Sequence, residues 1–231
     1  MSTTYTHLSK QSQKERGDVL TSSHKKPRAL TRSDLRSLEK RVFDLAIAGI
    51  VSVTVLVWLI PLIGLLIKLS SRGPILFVQM RTGRDGKPFR CFKFRTMTHA
   101  PNAEFKQVTA NDVRVTRLGH ILRRSNLDEM PQFLNVLLGH MSVVGPRPHP
   151  LPLDAKYWHS MPGYKDRYAV RPGITGLAQA RGARGETDVP YKMQGRVRYD
   201  HLYIRRQTSR LDVKICWWTV KAALNGNKNA R

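Results

Sequence analysis

Acidic residues and cysteines are scarce in this sequence of 231 residues. There are only 16 Asp and Glu against 40 Lys and Arg, which gives a formal net charge of +24. Such a surface favours anionic partners, namely nucleic acid, anionic lipid head groups or phosphorylated substrates. The two cysteines, Cys91 and Cys216, lie far apart and form no CxxC or Cys/His spacing, which argues against a zinc site. They fit a reducing compartment, while a disulfide between them stays open.

Large apolar residues are also rare in the first part of the chain. We predict that residues 1–37 are a disordered basic tail. A secretory signal is excluded, because the apolar segment starts only after Arg41, is too long for a signal and lacks an A-x-A-like end. The sequence contains 41% hydrophobic residues, which is enough to bury a core. We therefore expect one catalytic domain at 71–231, and we expect a membrane-inserted helix at 38–70 before it.

One long segment, Leu45–Ile67, contains no charged residue. About 20 apolar residues suffice to cross the hydrocarbon core of a bilayer, so this segment is predicted to lie in a membrane rather than in a soluble core. Basic residues flank it on both sides, and positive charge marks the cytoplasmic side. A helix that breaks at Pro61 and returns to the same leaflet would place both basic flanks on the cytoplasmic side. In the alternative, the helix spans the bilayer and Pro61 causes only a tolerated kink.

A basic hairpin is predicted after the apolar segment. Ile75–Gln79 has strand character, Gly83–Lys87 (GRDGK) has turn chemistry, and Phe89–Phe94 alternates apolar and basic residues. The hairpin would display three basic side chains on one side: Arg90, Lys93 and Arg95. That side is either a solvated strand face or a phosphate clamp.

A basic amphipathic helix is predicted next, in VRVTRLGHILRRSN. Its apolar residues have helical spacing, and Arg117, Arg123 and Arg124 occupy the other faces. Such a helix lies either on a membrane surface, with its arginines at lipid phosphates, or on a soluble core.

Two adjacent acids, Asp128 and Glu129, precede Pro131. Proline is tolerated only in the first turn of a helix, so the helix must begin near Leu127 or Asp128, and Gly139 is predicted to end it. Acids are favoured at any helix start, but this position also attracts phosphate. Both carboxylates can border one pocket, where one could attack a substrate and the other could hold a metal.

Arg147 stands between Pro146 and Pro148, and each proline restricts its own φ angle and the conformation of its neighbour, so Arg147 is predicted to be restrained. A fixed guanidinium suits bidentate recognition of phosphate. The later stretch RPGITGLAQARGARGETD places polar residues in a loop-rich region, among them Arg171 and Gln179. Each motif is weak when taken alone.

Taken together and in order, five motifs resemble the bacterial sugar transferase family, the monotopic polyprenol-phosphate phosphoglycosyl transferases. The motifs are KRVFDLAIA, KFRTM, DVRVTRLGHILRRSNLDEMPQFLNVL, MSVVGPRPH and RPGITGLAQ. The resemblance runs from about Lys40 to Val220 and is closest to the minimal form that consists of the catalytic domain. It implies an α+β fold with a small antiparallel sheet, amphipathic interfacial helices and one N-terminal re-entrant membrane helix.

The resemblance also implies an activity. A hexose 1-phosphate would pass from a UDP-sugar to undecaprenyl phosphate, with release of UMP, at the cytoplasmic face of the bacterial inner membrane and in contact with its lipids. Asp128 would be the nucleophile that forms an aspartyl-phosphosugar intermediate, and Glu129 would help to coordinate Mg²⁺. The residues predicted to bind substrate are Lys93, Arg95, Arg147, Arg171 and Gln179.

The identity of the sugar depends on less sequence. Gly185–Asp188 (GETD), followed by RVRYDHLYIRR, resembles the branch that transfers glucose 1-phosphate in exopolysaccharide initiation, while galactose and N-acetylated hexoses stay open. No nucleic-acid partner is expected, because the sequence shows no helix-turn-helix, RRM or KH pattern. An inactive scaffold that keeps the fold is a further alternative, and a homodimer is compatible with either hypothesis.

Overall fold

A computed structural model describes residues 32–98, 108–109, 112–183, 185 and 189–224. The first helix, α1, spans Arg32–Val51 and therefore begins inside the predicted tail. Residues 32–37, which were assigned to the tail, form the first turns of this helix, in which Arg and Leu are good helix formers. The remainder of the predicted tail lies outside the described residues.

The apolar segment continues α1 without interruption. A π-helical stretch, Ser52–Leu56, leads into α2, Val57–Ser70. Residues 35–70 form a helix that is long and apolar enough to cross a membrane. Pro61, at which the break was predicted, lies inside α2, and the departure from α-helical geometry precedes it. A π-helical turn is one way for a helix to absorb local strain such as a proline's missing N–H.

The predicted hairpin is confirmed. Strand β1, Leu76–Thr82, pairs antiparallel with β2, Pro88–Phe94. The GRDGK segment forms the turn, in which Asp85 and Gly86 have φ angles of 57° and 75°. These left-handed values suit Asp and Gly, so the turn residues fix the register of the two strands.

The next region contains two short helices and a turn. Helix α3, Arg117–Arg124, and helix α4, Gln132–Leu137, flank a 3₁₀ turn at Leu127–Glu129. Asn126, with a φ of 57°, follows α3, and Gly139, with a φ of 83°, follows α4 as predicted. The two acids therefore lie in a separate 3₁₀ turn, and not in the first turn of one continuous α-helix.

A second small sheet was not predicted. Strand β3, Ser142–Val144, pairs in parallel with β4, Gly173–Thr175. The pairing brings the GPRP and RPG segments together. A Cβ atom at Gly145 would lie 2.5 Å from the carbonyl oxygen of Arg171, and one at Gly173 would lie 2.1 Å from the Gly145 nitrogen, so this approach needs glycine at both positions.

The remaining helices complete the domain. They are α5, Leu151–Tyr157, a 3₁₀ segment, Tyr164–Ala169, α6, Leu177–Ala180, α7, Pro190–Arg206, and α8, Ser209–Leu224. The main core joins the two sheets to α7 and α8 and includes Cys91, Val136, Met141, Val144, Tyr203 and Ile215. The described fold is thus α+β, with helices packed on its two small sheets.

Both halves of the apolar helix pack on this domain. Ala48 of α1 belongs to the main core, while Ile63 and Ile67 of α2 pack with Phe94 and Leu122 in a second cluster. The helix and the domain form one compact unit, Arg36–Arg231. Many other apolar side chains of the helix are exposed, such as Trp58 at 74% and Leu69 at 76%.

A buried ion-pair network fixes the first half of the helix to the domain. Asp44 is only 1% exposed, and its Oδ1 atom accepts hydrogen bonds from the Lys40 Nζ, the Ser142 Oγ and the Val143 N–H, each at 2.9 Å. Lys40 also pairs with the Asp212 carboxylate at 3.0 Å. Helix α1 is therefore linked to both β3 and α8.

Replacement of this carboxylate should destabilise the protein. Because Asp44→Ala removes the acceptor of three hydrogen bonds and leaves the half-buried Lys40 with the Asp212 carboxylate alone, we expect the unfolding free energy to fall by about 3 kcal/mol. That loss corresponds to a melting temperature roughly 6–12 °C lower, measured by thermal unfolding of the full chain in detergent. Asp166→Ala, on an exposed site, should change the stability by less than about 0.5 kcal/mol. Equal melting temperatures for both variants would contradict the anchoring role.

Candidate active site

Glu129 is the centre of a cluster of charges. Its Oε1 atom accepts a hydrogen bond from the Lys93 Nζ at 2.6 Å, and Arg147 binds both carboxylate oxygens, with Nη1 to Oε2 at 2.9 Å and Nη2 to Oε1. Burial opposes the ionised form of Glu129, but the charges and hydrogen bonds of Arg147 and Lys93 outweigh it and hold the pKa of this carboxyl well below its usual value. Glu129 is therefore a fixed anion.

Asp128 lies in a different environment although it is the adjacent residue. It is 8% exposed, and in the described part of the chain its carboxylate forms no ion pair or side-chain hydrogen bond. Burial raises the pKa of the Asp128 carboxyl, and the charge of Glu129 raises it further, against the opposing attraction of Lys93. The turn thus presents one carboxylate that is held by cations and one whose oxygens are available for chemistry.

Asn135 holds the turn and helix α4 against the hairpin. Its side chain is fully buried, its Oδ1 accepts a hydrogen bond from the Phe92 N–H at 2.9 Å, and its Nδ2 donates to the Arg90 carbonyl at 2.7 Å. These bonds occupy backbone groups of β2 on either side of Cys91. Lys93, two residues further along β2, is thereby placed at the Glu129 carboxylate.

Buried arginines fix the Pro-Arg-Pro segment. Arg167 donates from Nη2 to the Arg147 carbonyl at 2.8 Å, and Arg81 donates from Nη1 to the Pro148 carbonyl at 2.6 Å. Arg167 is itself held by the Asp200 carboxylate at 2.8 and 3.1 Å. The restraint predicted for Arg147 from its two prolines is therefore reinforced by arginines that the sequence analysis did not identify, because they come from distant segments.

Arg123 is a second functional candidate that the sequence analysis did not assign to the site. The helix that carries it was predicted to meet lipid phosphates or to pack on a core. In the structure its Nε donates to the Thr96 Oγ1 at 2.9 Å, and Asp128 is the strongest of the charges that raise its pKa, against the larger effect of burial, which lowers it. Its position five residues before Asp128, across the Asn126 turn, was the available signal.

Three predicted substrate-binding residues lie elsewhere. Arg95 follows the end of β2 and donates to the carbonyls of Arg72 at 3.0 Å, Ser71 at 2.6 Å and Ile67 at 3.3 Å, so it caps the C-terminus of α2. Arg171 donates from Nε to the Gly139 carbonyl at 3.0 Å. Gln179 is buried and donates to the Ile174 carbonyl at 3.0 Å. Of the five predicted residues, only Lys93 and Arg147 contact Glu129 directly.

The donor set fits one kind of metal site. No group of three or more His, Cys, Asp or Glu side chains comes together among the described residues. Mg²⁺, however, commonly takes one or two carboxylates and completes its shell with water and substrate phosphate. Asp128 and Glu129 supply two carboxylates, and a carboxylate oxygen that accepts one hydrogen bond keeps a second lone pair. The pair therefore suits Mg²⁺ shared with a phosphorylated ligand, but not an all-protein cage.

Comparisons of the sequence with known proteins identify the family of the chain. The profile of the bacterial sugar transferase family matches residues 35–226. The chain is 47% identical over 182 residues to a UDP-glucose:undecaprenyl-phosphate glucose-1-phosphate transferase from Klebsiella pneumoniae, covering 78% of this chain and 39% of that protein. The chain thus spans about two fifths of the length of that relative.

Two further relatives show the range of the group. An exopolysaccharide production protein, PSS, from Rhizobium leguminosarum bv. phaseoli is 44% identical over 194 residues, which cover 82% of this chain and 96% of that protein. A UDP-N-acetylgalactosamine-undecaprenyl-phosphate N-acetylgalactosaminephosphotransferase from Aeromonas hydrophila is 36% identical over 202 residues, which cover 86% and 46%. The chain belongs to the bacterial sugar transferase family.

Proposed function

We propose that this protein transfers a hexose 1-phosphate, most favourably glucose 1-phosphate, from a UDP-sugar to undecaprenyl phosphate and releases UMP. The observation that carries the proposal is that two adjacent carboxylates differ in their ion pairs. Glu129 is paired with Lys93 and Arg147, whereas Asp128 is paired with neither. The activities for which the Klebsiella and Aeromonas relatives are named support the reaction class. The product would enter exopolysaccharide or other glycoconjugate synthesis, to which the name of the Rhizobium relative points.

In the first step, an oxygen of the Asp128 carboxylate would attack the phosphorus that carries the sugar. A bond forms between that oxygen and phosphorus, the bond from phosphorus to the bridging oxygen breaks, and UMP leaves with the bridging oxygen. In the second step, a phosphate oxygen of undecaprenyl phosphate attacks the same phosphorus and frees the Asp128 carboxylate. The nucleotide product can leave before the lipid binds, which suits two substrates of opposite solubility.

Positive charge next to Asp128 makes this attack feasible. A carboxylate and a diphosphate repel each other, so the diphosphate needs cations at the site before reaction. Lys93, Arg123 and Arg147 are the described cations whose charge acts on Asp128. Mg²⁺ bound by Glu129, with Asp128 nearby, would supply further neutralisation of the phosphates. Fixed cations of this kind require no reorganisation when the charge shifts.

We also propose that the apolar helix enters and leaves the membrane on the cytoplasmic side. Asp44, before the apolar segment, bonds to Val143, and Ile67, at its end, accepts from Arg95. A helix that crossed the bilayer would have its two ends about 30 Å apart on opposite faces, where they could not both contact one cytoplasmic domain. The contacts thus support the re-entrant course predicted from the two basic flanks, with the π-helical segment as the site of any bend.

This topology predicts that both helix ends react from the same side. Single cysteines introduced by Ser37→Cys and Ser70→Cys, with Cys91 and Cys216 replaced by serine, should both resist a membrane-impermeant thiol reagent in intact cells. Both should react after the cells are opened, which serves as the control for accessibility. Labelling of Ser37→Cys alone in intact cells would instead indicate a spanning helix.

The function is tested by UMP release from the purified full chain with undecaprenyl phosphate and Mg²⁺. We expect release from UDP-glucose, and we expect chelation of Mg²⁺ to lower the rate by at least about tenfold. Competition among UDP-glucose, UDP-galactose and the two UDP-N-acetylhexosamines identifies the sugar. Of Gly185–Asp188, the loop on which the glucose prediction mainly depends, only Gly185 is described, so the competition assay must identify the sugar. Absence of UMP from every donor would refute the proposal.

A further inference from the structure

A cleft with a volume of about 310 Å³ lies between the turn of the hairpin and the end of α4. The charged residues that line it are Arg84, Asp85, Lys87 and Arg171. Phe89 and His140, whose ring centroids lie 5.8 Å apart, also line it and join the turn to the end of α4. The volume is at the lower end of the range for small-ligand sites, so the cleft can admit a phosphate with its attached glycerol.

The cleft is separate from the reacting carboxylates. Lys87 precedes β2, and Lys93, which contacts Glu129, lies near the other end of this strand. At about 3.3 Å per residue, the two lysines are about 20 Å apart along the strand. Helix α4 spans the same distance in the opposite sense, because Glu129 precedes it and Gly139 follows it. A phosphate in the cleft therefore cannot be the one that Asp128 attacks.

Two cations of the cleft belong to a fixed turn. The Gly83 N–H donates to the Lys87 carbonyl at 2.8 Å, and the Lys87 N–H donates to the Arg84 carbonyl at 3.2 Å. Among the described residues, the Arg84 side chain pairs with Asp85 alone, at 3.5 Å, and the Lys87 side chain forms no salt bridge. The turn thus presents two exposed cations with one acid between them.

Arg171 is the third cation, and it is half-buried. Its Nε atom donates to the Gly139 carbonyl at 3.0 Å, while its Nη1 and Nη2 atoms have no hydrogen-bond partner in the part of the chain that the structure describes. Burial lowers the pKa of Arg171, and the like charges of Arg41 and Arg84 lower it further, against a weaker effect of Asp44. An anion in the cleft would offset this repulsion and accept the remaining N–H groups.

The cleft lies close to the point where the apolar segment begins. The Arg41 Nη2 atom donates to the Leu137 carbonyl at 3.2 Å and lies 3.6 Å from the position of a Cβ atom at Gly139. The charge-free segment starts at Leu45, one helical turn or about 6 Å beyond Arg41. A head-group layer is about 5–8 Å thick on each side of the hydrocarbon core. With the apolar segment in a bilayer, the cleft is therefore at the level of the head groups.

Apolar side chains are exposed beside the cations. Leu137 and Leu138, which directly precede Gly139, are 38% and 60% exposed, and Val42 of α1 is 59% exposed. Exposed apolar residues next to basic ones are typical of surfaces that lie on membranes. A soluble phosphate would need the cations alone, whereas a lipid would use both kinds of side chain.

We propose that this cleft binds the phosphate of an anionic phospholipid. Arg84, Lys87 and Arg171 would surround the head group, and Leu137 and Leu138 would contact the acyl chains. Phosphatidylcholine would be a weaker ligand, because its choline group would meet three cations. The inference goes beyond the proposed function, since it depends on the membrane location of the apolar helix and not on the transferase reaction.

The test replaces both cations of the turn in the full chain, by Arg84→Gln and Lys87→Gln together. The Kd values for phosphatidylglycerol and phosphatidylcholine are measured by titration in neutral detergent, followed by native mass spectrometry. The wild type should prefer phosphatidylglycerol. Each basic residue near a membrane surface contributes about fivefold to binding of anionic lipid, so the double variant should raise that Kd by about 25-fold. Equal Kd values of the wild type for the two lipids, or an unchanged value in the variant, would overturn the proposal.

Glycerol 1-phosphate, which has no acyl chains, distinguishes a lipid from a soluble phosphate. We expect it to bind at least about tenfold more weakly than phosphatidylglycerol. Leu138→Ser should weaken phosphatidylglycerol by several-fold and leave glycerol 1-phosphate unchanged, because only the lipid contacts this side chain. Glycerol 1-phosphate that binds as tightly as phosphatidylglycerol would refute the assignment to a lipid.

A matched variant controls for the loss of charge. Arg198→Gln with Arg205→Gln removes the same charge from exposed positions of α7 that do not line the cleft, and it should leave the Kd for phosphatidylglycerol unchanged. Arg84 and Lys87 are exposed, so their replacement should not change the melting temperature. An equal loss of lipid binding in both double variants would indicate a general effect of charge and contradict a specific site.

UMP release separates this inference from the proposed function. The variant that lacks Arg84 and Lys87 should release UMP from UDP-glucose at the wild-type rate in detergent, because neither cation contacts Glu129. Loss of that rate would show that the cleft serves the substrates and would contradict a separate lipid site. A wild type that releases no UMP would refute the transferase activity alone, and the lipid Kd values would still decide whether the cleft binds phospholipid.

Discussion

Asp128→Asn should reduce UMP release by about 10³-fold or more, because an amide cannot replace a carboxylate as the nucleophile. The side chain is of nearly equal size, and no ion pair of Asp128 is lost in the described part of the chain. The folded structure should therefore survive the substitution. Loss of activity with an unchanged melting temperature would place the defect in the chemical step.

The covalent intermediate gives this prediction a second measurement. Wild-type protein incubated with UDP-glucose and no lipid acceptor should gain the mass of one hexose phosphate, and Asp128→Asn should gain none. Asp166→Asn, at an exposed site, is the matched control and should keep both the adduct and the rate. Activity of Asp128→Asn within about tenfold of the wild type would show that another group attacks the phosphorus.

The environment of Asp128 also predicts a dependence on pH. Burial and the charge of Glu129 raise the pKa of this carboxyl despite the opposing effect of Lys93. A nucleophilic carboxylate must be ionised, so kcat/KM should fall as the pH is lowered through the Asp128 pKa. The midpoint should lie above the ordinary aspartate value of about 3.9. A midpoint at or below the ordinary value would mean that cations outweigh burial in the free enzyme.

Local signals in the sequence predicted the hairpin and the acidic turn. GRDGK contains the two residues, Asp85 and Gly86, that adopt positive φ angles, so the hairpin followed from turn chemistry alone. Pro131 and Gly139 bracketed the short helix in the same way. The 3₁₀ geometry of Leu127–Glu129 was missed, because Asn126 in a left-handed conformation separates this turn from its neighbours.

Non-local pairing was beyond the sequence analysis. Strands β3 and β4 have three residues each and are separated by a helix and several turns, so no local periodicity marks them. Arg95 was predicted to lie with Arg90 and Lys93 on one side of the hairpin. Strand β2 ends at Phe94, however, and Arg95 turns to the end of α2 instead. The arginines that support Arg147 were missed for the same reason, since they meet it only through tertiary packing.

Arg147→Met should lower kcat/KM by about 10²- to 10³-fold, the scale expected when one charge-stabilising contact at a reacting group is removed. Arg147 binds both oxygens of Glu129, so the loss has two possible origins, namely release of Glu129 and loss of direct contact with the diphosphate. Arg147→Lys separates them in part. A lysine retains the charge but cannot form the bidentate pair, so it should recover only a fraction of the rate.

A double-mutant cycle with Glu129→Gln separates the two origins fully. If Arg147 acts only by holding Glu129, Arg147→Met should cost little more once the carboxylate is gone. If it also contacts the phosphates, its loss should multiply with that of Glu129→Gln. We expect the second result for two reasons. Lys93 pairs with Glu129 even when Arg147 is replaced, so Glu129 keeps one cation. The guanidinium of Arg147, held between two prolines, is also better suited to bind an incoming phosphate than a carboxylate that lysine already neutralises.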